Sequence, residues 1–538
     1  MSSIKRITLI KNRPSINFLF LAIVLLFLMT RLAHLTILPI FNDEAIYISW
    51  AKMIKEDIHN IWFPVQIESK KPLLMCLIAL FLKIFEDPLW AARSVSVVAG
   101  FFSLIGIYLI GLRLHSVNVG CISAFLYTVS PYFLFYDRMA HQDSLLNCFF
   151  IWMLLLSLII FQQGEKIKVR CFGTLGFIIG LSLLAKSTAI LFVFLPLMLK
   201  FIFLKKSAFI PWNSLLQSYL LGLLIAALPY IHLFLLTSTK FSIKSILIPT
   251  QTSLAQSSIA DILFEIPKNI FFHFGDPVSY FITYLTLPVL FLAGIFFIFQ
   301  FIAFNKNYFI LFLFFFIPFI SILGIGGGGF SRYYLFCGTP ILLWAALALY
   351  YGIDYIKKLV PEKSLYLTIT PILIIVLYPA IAFDSKLLTK PEEVSFVGRD
   401  YDQYINNEFS GYGIPEALDY FKKVSSDKKI TIFTTSNWGN PADSVHVYLS
   451  DYPNITVYTA FWVFEHVLLP SNASKIVAKN KYKKNFEFHL NSLSDVYFIC
   501  NSRDFERKIF LNKNKGFQLV KSLRKPNSTI FIDIYKHI

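Results

Sequence analysis

The chain has 538 residues, of which 56% are hydrophobic and 15% charged, and its mean hydropathy is +0.63. Soluble domains are about 45–50% apolar and about 25% charged, so this composition excludes a soluble multidomain enzyme and a disordered chain. Basic residues outnumber acidic ones by 49 to 32, which gives a formal net charge of +17. In a membrane protein such an excess collects in cytoplasmic loops, so its position separates a topology signal from a nucleic-acid-binding surface.

Apolar segments that could cross a bilayer recur from the N-terminus to about residue 383. Crossing the ~30 Å hydrocarbon layer takes about 20 residues, and the pattern predicts about eleven spans, within a range of about nine to thirteen. They are Ile16–Leu38, Leu89–Leu112, Val117–Tyr136, Leu145–Phe161, Cys171–Ala185, Thr188–Leu204, Leu215–Leu236, Val278–Phe304, Tyr308–Ile325, Leu335–Tyr351 and Leu365–Phe383. The fifth and sixth are short and could instead form a re-entrant pair, which leaves the sidedness of later loops unchanged.

The basic residues predict the orientation of the protein. They precede the first span and then fall in alternate loops, all on one side of the eleven-span topology. They are Lys5, Arg6, Lys11, Arg13, Arg113, Lys166, Lys168, Arg170, Lys205, Lys206, Lys306, Lys357, Lys358 and Lys363. We therefore expect a multi-pass protein of the plasma (inner) membrane with a cytoplasmic N-terminus and no nucleic-acid partner. The first segment lacks a small-residue cleavage site, so it is predicted to remain as an anchor.

The composition changes near residue 384 and divides the chain into two predicted domains. Residues 1–384 form the transmembrane domain, with a long first outer loop over residues 39–88. In residues 385–538 charged and turn-forming residues return, and an odd number of spans places them outside the cell. The pattern predicts a helix at Ile414–Val424 and strands at Lys429–Ser436, Ile455–Phe461, Asp495–Ser502 and Thr529–Ile538. The predicted fold is a polytopic α-helical membrane protein with a C-terminal extracytoplasmic α/β domain.

The first outer loop carries the first candidate site residues. FNDEAIYISWAKMIKED, residues 41–57, has apolar residues at helical spacing and predicts an amphipathic helix on the membrane surface. Asp43 and Glu44 lie in its first turn, where either could simply cap the helix. Lys71 lies in SKKPLLMCLIALFLKIF, residues 69–85, before a second apolar helix. It could bind an anionic phosphate or extend to the lipid headgroups.

Three further loops place ionisable residues where spans end on the outer side. YDRMAHQDSLL, between the third and fourth spans, has four of them, although its last Asp could cap the fourth span and its His could lie on the surface. GLSLLAKSTAILF has a solitary lysine between apolar segments, and GIGGGGFSRYYLF joins glycines to an arginine and two tyrosines. The residues singled out are Arg138, His141, Asp143, Lys186, Arg332 and Tyr333.

Together these loops predict carboxylates and cations at the outer membrane surface. Such a site suits a substrate with an anionic headgroup and a lipid tail, and sugar transfer from a polyprenyl-phosphate sugar fits it chemically. A carboxylate would take the proton of the acceptor hydroxyl. Cations would stabilise the lipid phosphate as it departs. Nucleotide sugars are absent outside the cell, so no nucleotide-binding motif is needed.

The motifs resemble those of the GT-C glycosyltransferases, in particular the protein O-mannosyltransferases and the lipid A aminoarabinose transferase (glycosyltransferase family 39). NDEAIY resembles the family's Asp-Glu motif, KKPLL its Lys-Pro-Pro-Leu element, and RMAHQDSLL the stretch ending in a second Asp. GLSLLAKS is similar to the Gly-Leu…Thr-Lys-Gly segment and SRYYLFCGTP to the Arg-Tyr…Pro segment. Ser187 stands where the family has Gly, and Leu73 where it has Pro, so the sugar and the acceptor stay open.

The resemblance implies a GT-C-type fold and an inverting hexosyl- or pentosyltransferase. Its donor would be a polyprenyl-phosphate-linked sugar, and its acceptor a lipid, a glycan or a protein on the outer face of the bilayer. The implied site residues are Asp43, Glu44 and Asp143 for catalysis, Lys71, Lys186 and Arg332 for the donor phosphate, and Arg138, His141 and Tyr333 for acceptor or loop contacts. Asp43 would be the base and Glu44 its companion. No cofactor is certain; a divalent metal on Asp43 and Asp143 is left open.

Two other classes of protein compete with this interpretation. A transporter or lipid flippase would place ionisable residues near the bilayer midplane, at broken helices and between repeats. Here they fall at outer loop ends, and no repeat is visible. A structural anchor for the tail domain would need one span rather than about eleven. The six cysteines lack metal-ligand spacing, so we expect neither a zinc site nor a disulfide framework.

Overall fold

The computed structural model describes residues 18–68, 70–163, 168–203, 210–237, 259–302, 305–326, 329–435, 438–460, 475–479, 485–489, 493, 495–504 and 506–538. Several of the basic residues that predict the topology lie outside these ranges. They are Lys5, Arg6, Lys11, Arg13, Lys166, Lys205 and Lys206.

The described residues of the first half of the chain are mainly helical. Its helices are α1 (Phe18–Leu32), α2 (Asn42–Glu56), α3 (Phe63–Glu68), α4 (Leu73–Phe81), α5 (Pro88–Leu114), α6 (Val117–Thr128), α7 (Pro131–Asp137), α8 (Gln142–Gln163), α9 (Val169–Ala185), α10 (Ile190–Val193), α11 (Leu195–Ile202) and α12 (Trp212–Thr237). After residue 258 come α13 (Ile259–His273), α14 (Gly275–Tyr284), α15 (Leu287–Ile302), α16 (Lys306–Gly324), α17 (Leu335–Leu359) and α18 (Glu362–Thr389).

Within the described ranges, five helices are long and apolar enough to cross a membrane. They are α5, α8, α16, α18 and the segment Ser331–Leu359, which contains α17. Two bent pairs each pass the same test when taken together, which raises the number to seven. Shorter apolar helices at Phe18–Leu32, Val169–Ala185, Ser187–Ile202 and Trp212–Leu228 stand where further spans are predicted. The protein is a multi-pass membrane protein, and the count of about eleven stays a prediction.

Two of the predicted spans are not straight helices. The segment predicted as Val117–Tyr136 bends by 64° between α6 and α7, where Pro131 begins the second piece. Proline disfavours a helical conformation in the residue before it, which explains the break. The segment predicted as Val278–Phe304 is interrupted between α14 and α15, with a bend of 113° and a φ of 72° at Thr286. A continuous apolar pattern does not report such changes of backbone direction.

The first outer loop forms the predicted helix α2, but that helix does not lie open on a membrane surface. Ten of its fifteen residues are buried. The helix α4 packs on one side, and a helix of the C-terminal domain packs on another. Apolar side chains occur around most of the α2 circumference rather than on one stripe. A helix that is apolar on most sides is stable only when other parts of the protein cover it. The second predicted helix of the loop is α4.

In the part of the C-terminal domain that the structure describes, the strands form one seven-stranded sheet. Its strands are β1 (Ile430–Thr434), β2 (Ile455–Ala460), β3 (Lys475–Lys479), β4 (Asn485–His489), β5 (Val496–Asn501), β6 (Phe517–Arg524) and β7 (Phe531–His537), in the order β4-β3-β2-β1-β5-β7-β6. The central strand β1 pairs in parallel with β2 and β5, whereas the other neighbours are antiparallel. Helices α19 (Arg399–Tyr401), α20 (Ile414–Val424), α21 (Ala442–Leu449) and α22 (Arg507–Lys513) accompany the sheet.

The four predicted strands and the helix α20 are all present, and the predicted bounds of α20 are those of the structure. The sequence pattern missed β3, β4 and β6. One apolar cluster joins α2, α4 and the start of α5 to β1, β5 and α20. The C-terminal domain is therefore packed directly on the first outer loop.

Candidate active site

The first turn of α2 places two neighbouring carboxylates in different surroundings. Asp43 is partly exposed, and its Oδ2 lies 3.3 Å from Nη1 of Arg332. Glu44 is fully buried and accepts a hydrogen bond from the backbone N–H of Phe41 at 3.0 Å. Consecutive helical residues point about 100° apart, so one carboxylate faces the membrane domain while the other stays at an open face. The capping alternative thus applies to Glu44.

Glu44 is held by a buried ion pair that the sequence reasoning did not identify. Arg93 in α5 donates from Nε to Oε1 at 2.9 Å and from Nη2 to Oε2 at 2.7 Å. The backbone N–H of Ala140 donates to Oε1 at 2.7 Å, and Arg93 also binds two carbonyls of the loop after α1. Glu44 therefore ties α2 to α5 and to the loop before α8. An arginine inside an apolar span was the available signal for this pair.

Asp143 and Lys186 form a second pair, and Tyr333 connects it to Arg332. Lys186 follows the last residue of α9 and donates from Nζ to Oδ1 of Asp143 at 2.6 Å. The same ammonium lies 4.6 Å from the ring centre of Tyr333, and the Arg332 guanidinium carbon lies 5.7 Å from that centre. One aromatic ring thus contacts both cations, an arrangement that stabilises positive charge.

The two lysines of the first loop occupy different surroundings. Lys70 Nζ lies 3.3 Å from the Tyr47 hydroxyl and 4.9 Å from its ring centre. Tyr47 is four residues after Asp43 and shares its helix face. Lys71 is 6% exposed, its carbonyl accepts a hydrogen bond from Gln142, and burial lowers the pKa of its ammonium to about 8. The structure therefore brings Lys70 to the face of Asp43. The sequence had led to the adjacent Lys71 instead.

The cations set the protonation state of the site. Burial raises the pKa of the Asp43 carboxyl, but the nearby positive charges, Arg332 first and Lys70 next, together lower it further than burial raises it, so the pKa falls below its ordinary value. Burial, followed by the Arg332 charge, lowers the pKa of His141 well below its usual range. With His141 neutral, three cations face the carboxylates of Asp43 and Asp143, and the cluster carries one excess positive charge.

A buried network holds Ser331, the residue before Arg332. Asp400 accepts hydrogen bonds from the hydroxyls of Ser331 and Tyr284, the latter at 2.6 Å. Ser331 Oγ also lies 2.6 Å from the Tyr136 hydroxyl. Burial raises the pKa of Asp400 to about 6, although these hydrogen bonds oppose the rise. Asp400 comes from the segment after α18, so no local sequence signal connects it to Arg332.

The remaining candidates lie at different distances from this cluster. His141 is fully buried, with its ring centre 5.4 Å from that of Phe41 and its Nε2 3.5 Å from the Tyr404 hydroxyl. Arg138 donates to the carbonyls of residues 30, 31, 33 and 34 at 2.7–2.9 Å. Because those carbonyls lie at and just after the end of α1, Arg138 caps that helix. Its expected contact with the acceptor or with a loop at the site stays a prediction.

Part of the chain matches a known protein family, and its fold matches solved structures. Residues 69–244, about a third of the chain, match the family model described as dolichyl-phosphate-mannose-protein mannosyltransferase. No curated protein sequence matches the chain. Among solved structures, ArnT from Cupriavidus metallidurans bound to undecaprenyl phosphate is 10% identical and has a TM-score of 0.58, with 97% of this chain and 98% of that chain covered.

Two archaeal structures share the fold over a shorter extent. The Archaeoglobus fulgidus oligosaccharyltransferase, solved with Zn and sulfate, is 15% identical, with 82% of this chain and 62% of that chain covered and a TM-score of 0.52. AglB from Archaeoglobus fulgidus, solved with an inhibitory peptide and a dolichol-phosphate, is 13% identical, with 82% and 64% covered and a TM-score of 0.50. The chain thus spans less than two thirds of these archaeal proteins. It resembles the GT-C glycosyltransferases in both sequence and fold.

Within this GT-C fold, the site suits an anion better than a metal ion. Among the residues that the structure describes, no three His, Cys, Asp or Glu side chains come together as a metal site. Asp43 and Asp143 each face a cation, and an added divalent cation would meet repulsion from Arg332, Lys186 and Lys70. The donor set does not fit the divalent metal that the sequence left open.

Proposed function

We propose that the protein is an integral-membrane glycosyltransferase that transfers a sugar from a polyprenyl-phosphate-linked donor to an acceptor at the extracytoplasmic face. The observation that carries the proposal is the excess positive charge of the cluster formed by Asp43, Asp143, Lys70, Lys186 and Arg332. A phosphodiester-linked sugar brings one negative charge and would neutralise it. The lipid phosphates bound by ArnT and AglB support a donor of the same class.

In the proposed reaction the acceptor hydroxyl oxygen attacks the anomeric carbon and inverts it. Its proton goes to Asp43, and the bond between that carbon and the phosphate oxygen breaks with both electrons on the phosphate. Lys70, Lys186 and Arg332 stabilise the dianion that leaves. Donor binding also prepares the base, because the phosphate offsets the cations that hold the pKa of Asp43 low.

An apolar cavity supports a lipid-linked donor. It has a volume of about 410 Å³ and lies between the segment after α2 and the helices α9 and α12. Its lining includes Trp62, Leu184 and Ile225, and Leu184 is two residues before Lys186. The first isoprene units of a donor would fit such an apolar space. Asp143 would hold Lys186 in place, and the partly exposed Tyr333 would face the acceptor, whereas His141 lies buried beside Phe41 and Tyr404.

The direct test is transfer by the purified full-length protein. We expect labelled sugar to move from at least one polyprenyl-phosphate sugar to a lipid, glycan or peptide acceptor, with release of the polyprenyl phosphate. Movement of the intact donor across a vesicle membrane without transfer would overturn the proposal in favour of a flippase.

The two adjacent lysines allow a matched test of phosphate binding. Lys70→Gln should lower kcat/KM by about 10-fold or more, since a hydrogen bond to a charged group contributes about 1.5–3 kcal/mol. Lys186→Gln and Arg332→Gln should act in the same direction. Lys71→Gln should lower it less, because Lys71 is buried and Lys70, not Lys71, is among the charges that lower the pKa of Asp43. A larger loss for Lys71→Gln would return the phosphate contact to Lys71.

The topology belongs to the proposal as well. With a cytoplasmic N-terminus in the inner membrane, residues 385–538 lie outside the cytoplasm. Protease added to intact spheroplasts should remove this domain and spare an N-terminal tag. Full protection of the domain, when a known periplasmic protein is digested in the same sample, would place the site on the wrong side for this donor.

A further inference from the structure

The C-terminal domain reaches the first turn of α2 through Asn440. This residue precedes α21, and it is 6% exposed. Its backbone N–H donates to the side-chain oxygen of Asn42 at 2.8 Å. Its side-chain amide donates to the carbonyls of Ile40 at 2.9 Å and Phe409 at 3.1 Å. One residue of the domain thus binds both the segment before α2 and the residue that begins it.

Asn440 is itself fixed by its surroundings. Asn501, at the end of β5, donates to the Asn440 carbonyl at 3.0 Å. Gly439 has a φ of 91°, and a Cβ there would overlap the Asn42 side chain. The Asn42 N–H donates to the Phe409 carbonyl at 3.0 Å. The sheet therefore holds Asn440 on one side while Asn440 holds the start of α2 on the other.

The first turn of α2 is consequently held from two directions. Glu44 is bound to Arg93 and the membrane domain, whereas Asn42 is bound to the C-terminal domain. Asp43 lies between these two anchored residues. Its carboxylate forms an ion pair with Nη1 of Arg332, but that nitrogen donates no hydrogen bond to it. The direction of its side chain then depends on both neighbours.

We propose that Asn440 is a positioning residue, which sets the distance between the Asp43 carboxylate and the acceptor through its bonds to Asn42 and Ile40. The inference rests on the proposed role of Asp43 as the base. It assigns a catalytic purpose to the C-terminal domain, which completes the site from outside the membrane. Reacting groups need placement to within about 1 Å, and a misplacement of that size can cost about 10²-fold in rate.

The test compares two variants on opposite sides of the contact. Asn440→Ala removes both side-chain hydrogen bonds, and Asn42→Ala removes the acceptor for the Asn440 N–H. Each should lower kcat by about 10- to 100-fold and leave the donor KM within about twofold, since the cations are untouched. Asn42→Asp keeps the acceptor oxygen and should restore most of kcat. Loss of donor affinity with unchanged kcat would overturn the assignment.

A matched control breaks a different contact between α2 and the C-terminal domain. Lys52, nine residues after Asp43, donates to the Val447 carbonyl and to Asp451, both at 2.7 Å. Lys52→Met should leave kcat unchanged. An equal loss in Lys52→Met and Asn440→Ala would mean that docking of the domain matters in general, and would overturn a specific role for Asn440.

Two further measurements separate positioning from stability and from the proposed reaction. In an Asp43→Asn background, Asn440→Ala should add no further loss of turnover, because it acts through that carboxylate; a multiplied loss would overturn the proposal. Hydrogen exchange needs no activity. Exchange at the Asn440 backbone amide should be faster in Asn42→Ala than in the unaltered protein, because that amide loses its acceptor; unchanged exchange would overturn the contact even if transfer is observed. Absence of transfer in the unaltered protein would instead reject the proposed function.

Discussion

Asp43→Asn is expected to lower turnover by at least ~10²-fold, the usual contribution of a general base, while the melting temperature stays nearly the same. The amide keeps the shape of the side chain but cannot take the acceptor proton. Asp43 is partly exposed and contacts Arg332 through a single ion pair, so little stability depends on it. Single-turnover transfer by the purified variant, with donor binding measured separately, gives the comparison.

The pH dependence supplies a control for this assignment. The base acts as the carboxylate, so activity is present above the pKa of Asp43 and is lost as the pH falls through it. Because that pKa is lowered, the acidic limb of kcat/KM should lie below the ordinary range of an aspartate, and it should vanish in Asp43→Asn. An acidic limb that persists in Asp43→Asn, or full activity of that variant, would rule out Asp43 as the base.

Arg93→Met is expected to destabilise the protein by about 3–5 kcal/mol, because it leaves the Glu44 carboxylate buried without its charge partner. The substitution also frees the loop carbonyls that Arg93 binds. Thermal unfolding in detergent, followed by loss of soluble protein, measures the effect. Combining Arg93→Met with Glu44→Gln should restore part of the stability, since the second change removes the buried charge.

An exposed ion pair is the matched control for this second prediction. Lys358 and Asp354 lie 2.6 Å apart on the surface of α17. Solvent screens such pairs, so Lys358→Met should barely change the melting temperature. If Arg93→Met is equally harmless, the buried pair does not hold α2 in place. Glu44→Gln should lose stability first and activity only in consequence, in contrast to Asp43→Asn.

The sequence predicted most residues of the site but not which of them contact one another. Apolar runs located the membrane helices, and charged residues between them led to Asp43, Asp143, Lys186 and Arg332. Which of two adjacent lysines faces Asp43 depends on the turn between α3 and α4, and neither residue type nor spacing encodes it. Contacts between distant segments, such as Asp400 with Ser331, are equally invisible to a local pattern.

Within each domain, some backbone features were predicted from the sequence and others were missed. The central strands β1 and β5 are buried apolar runs and were predicted, whereas β6 alternates polar and apolar residues and was missed. The bend at Thr286 was missed because the apolar pattern continues through it. Hydropathy reports which residues avoid water, but not how the backbone turns between them.

The contact between Asn42 and Asn440 joins residues 398 positions apart in the chain. At about 5–20 residues per second, a ribosome needs roughly 20–80 s to make the intervening segment. A nascent chain would therefore have its helices in the membrane, and its cations ready for a lipid phosphate, well before its base is aligned. On the proposed arrangement, activity begins only when the last domain has crossed the bilayer and docked. Chains that terminate before this domain would therefore be inactive and would not consume donor.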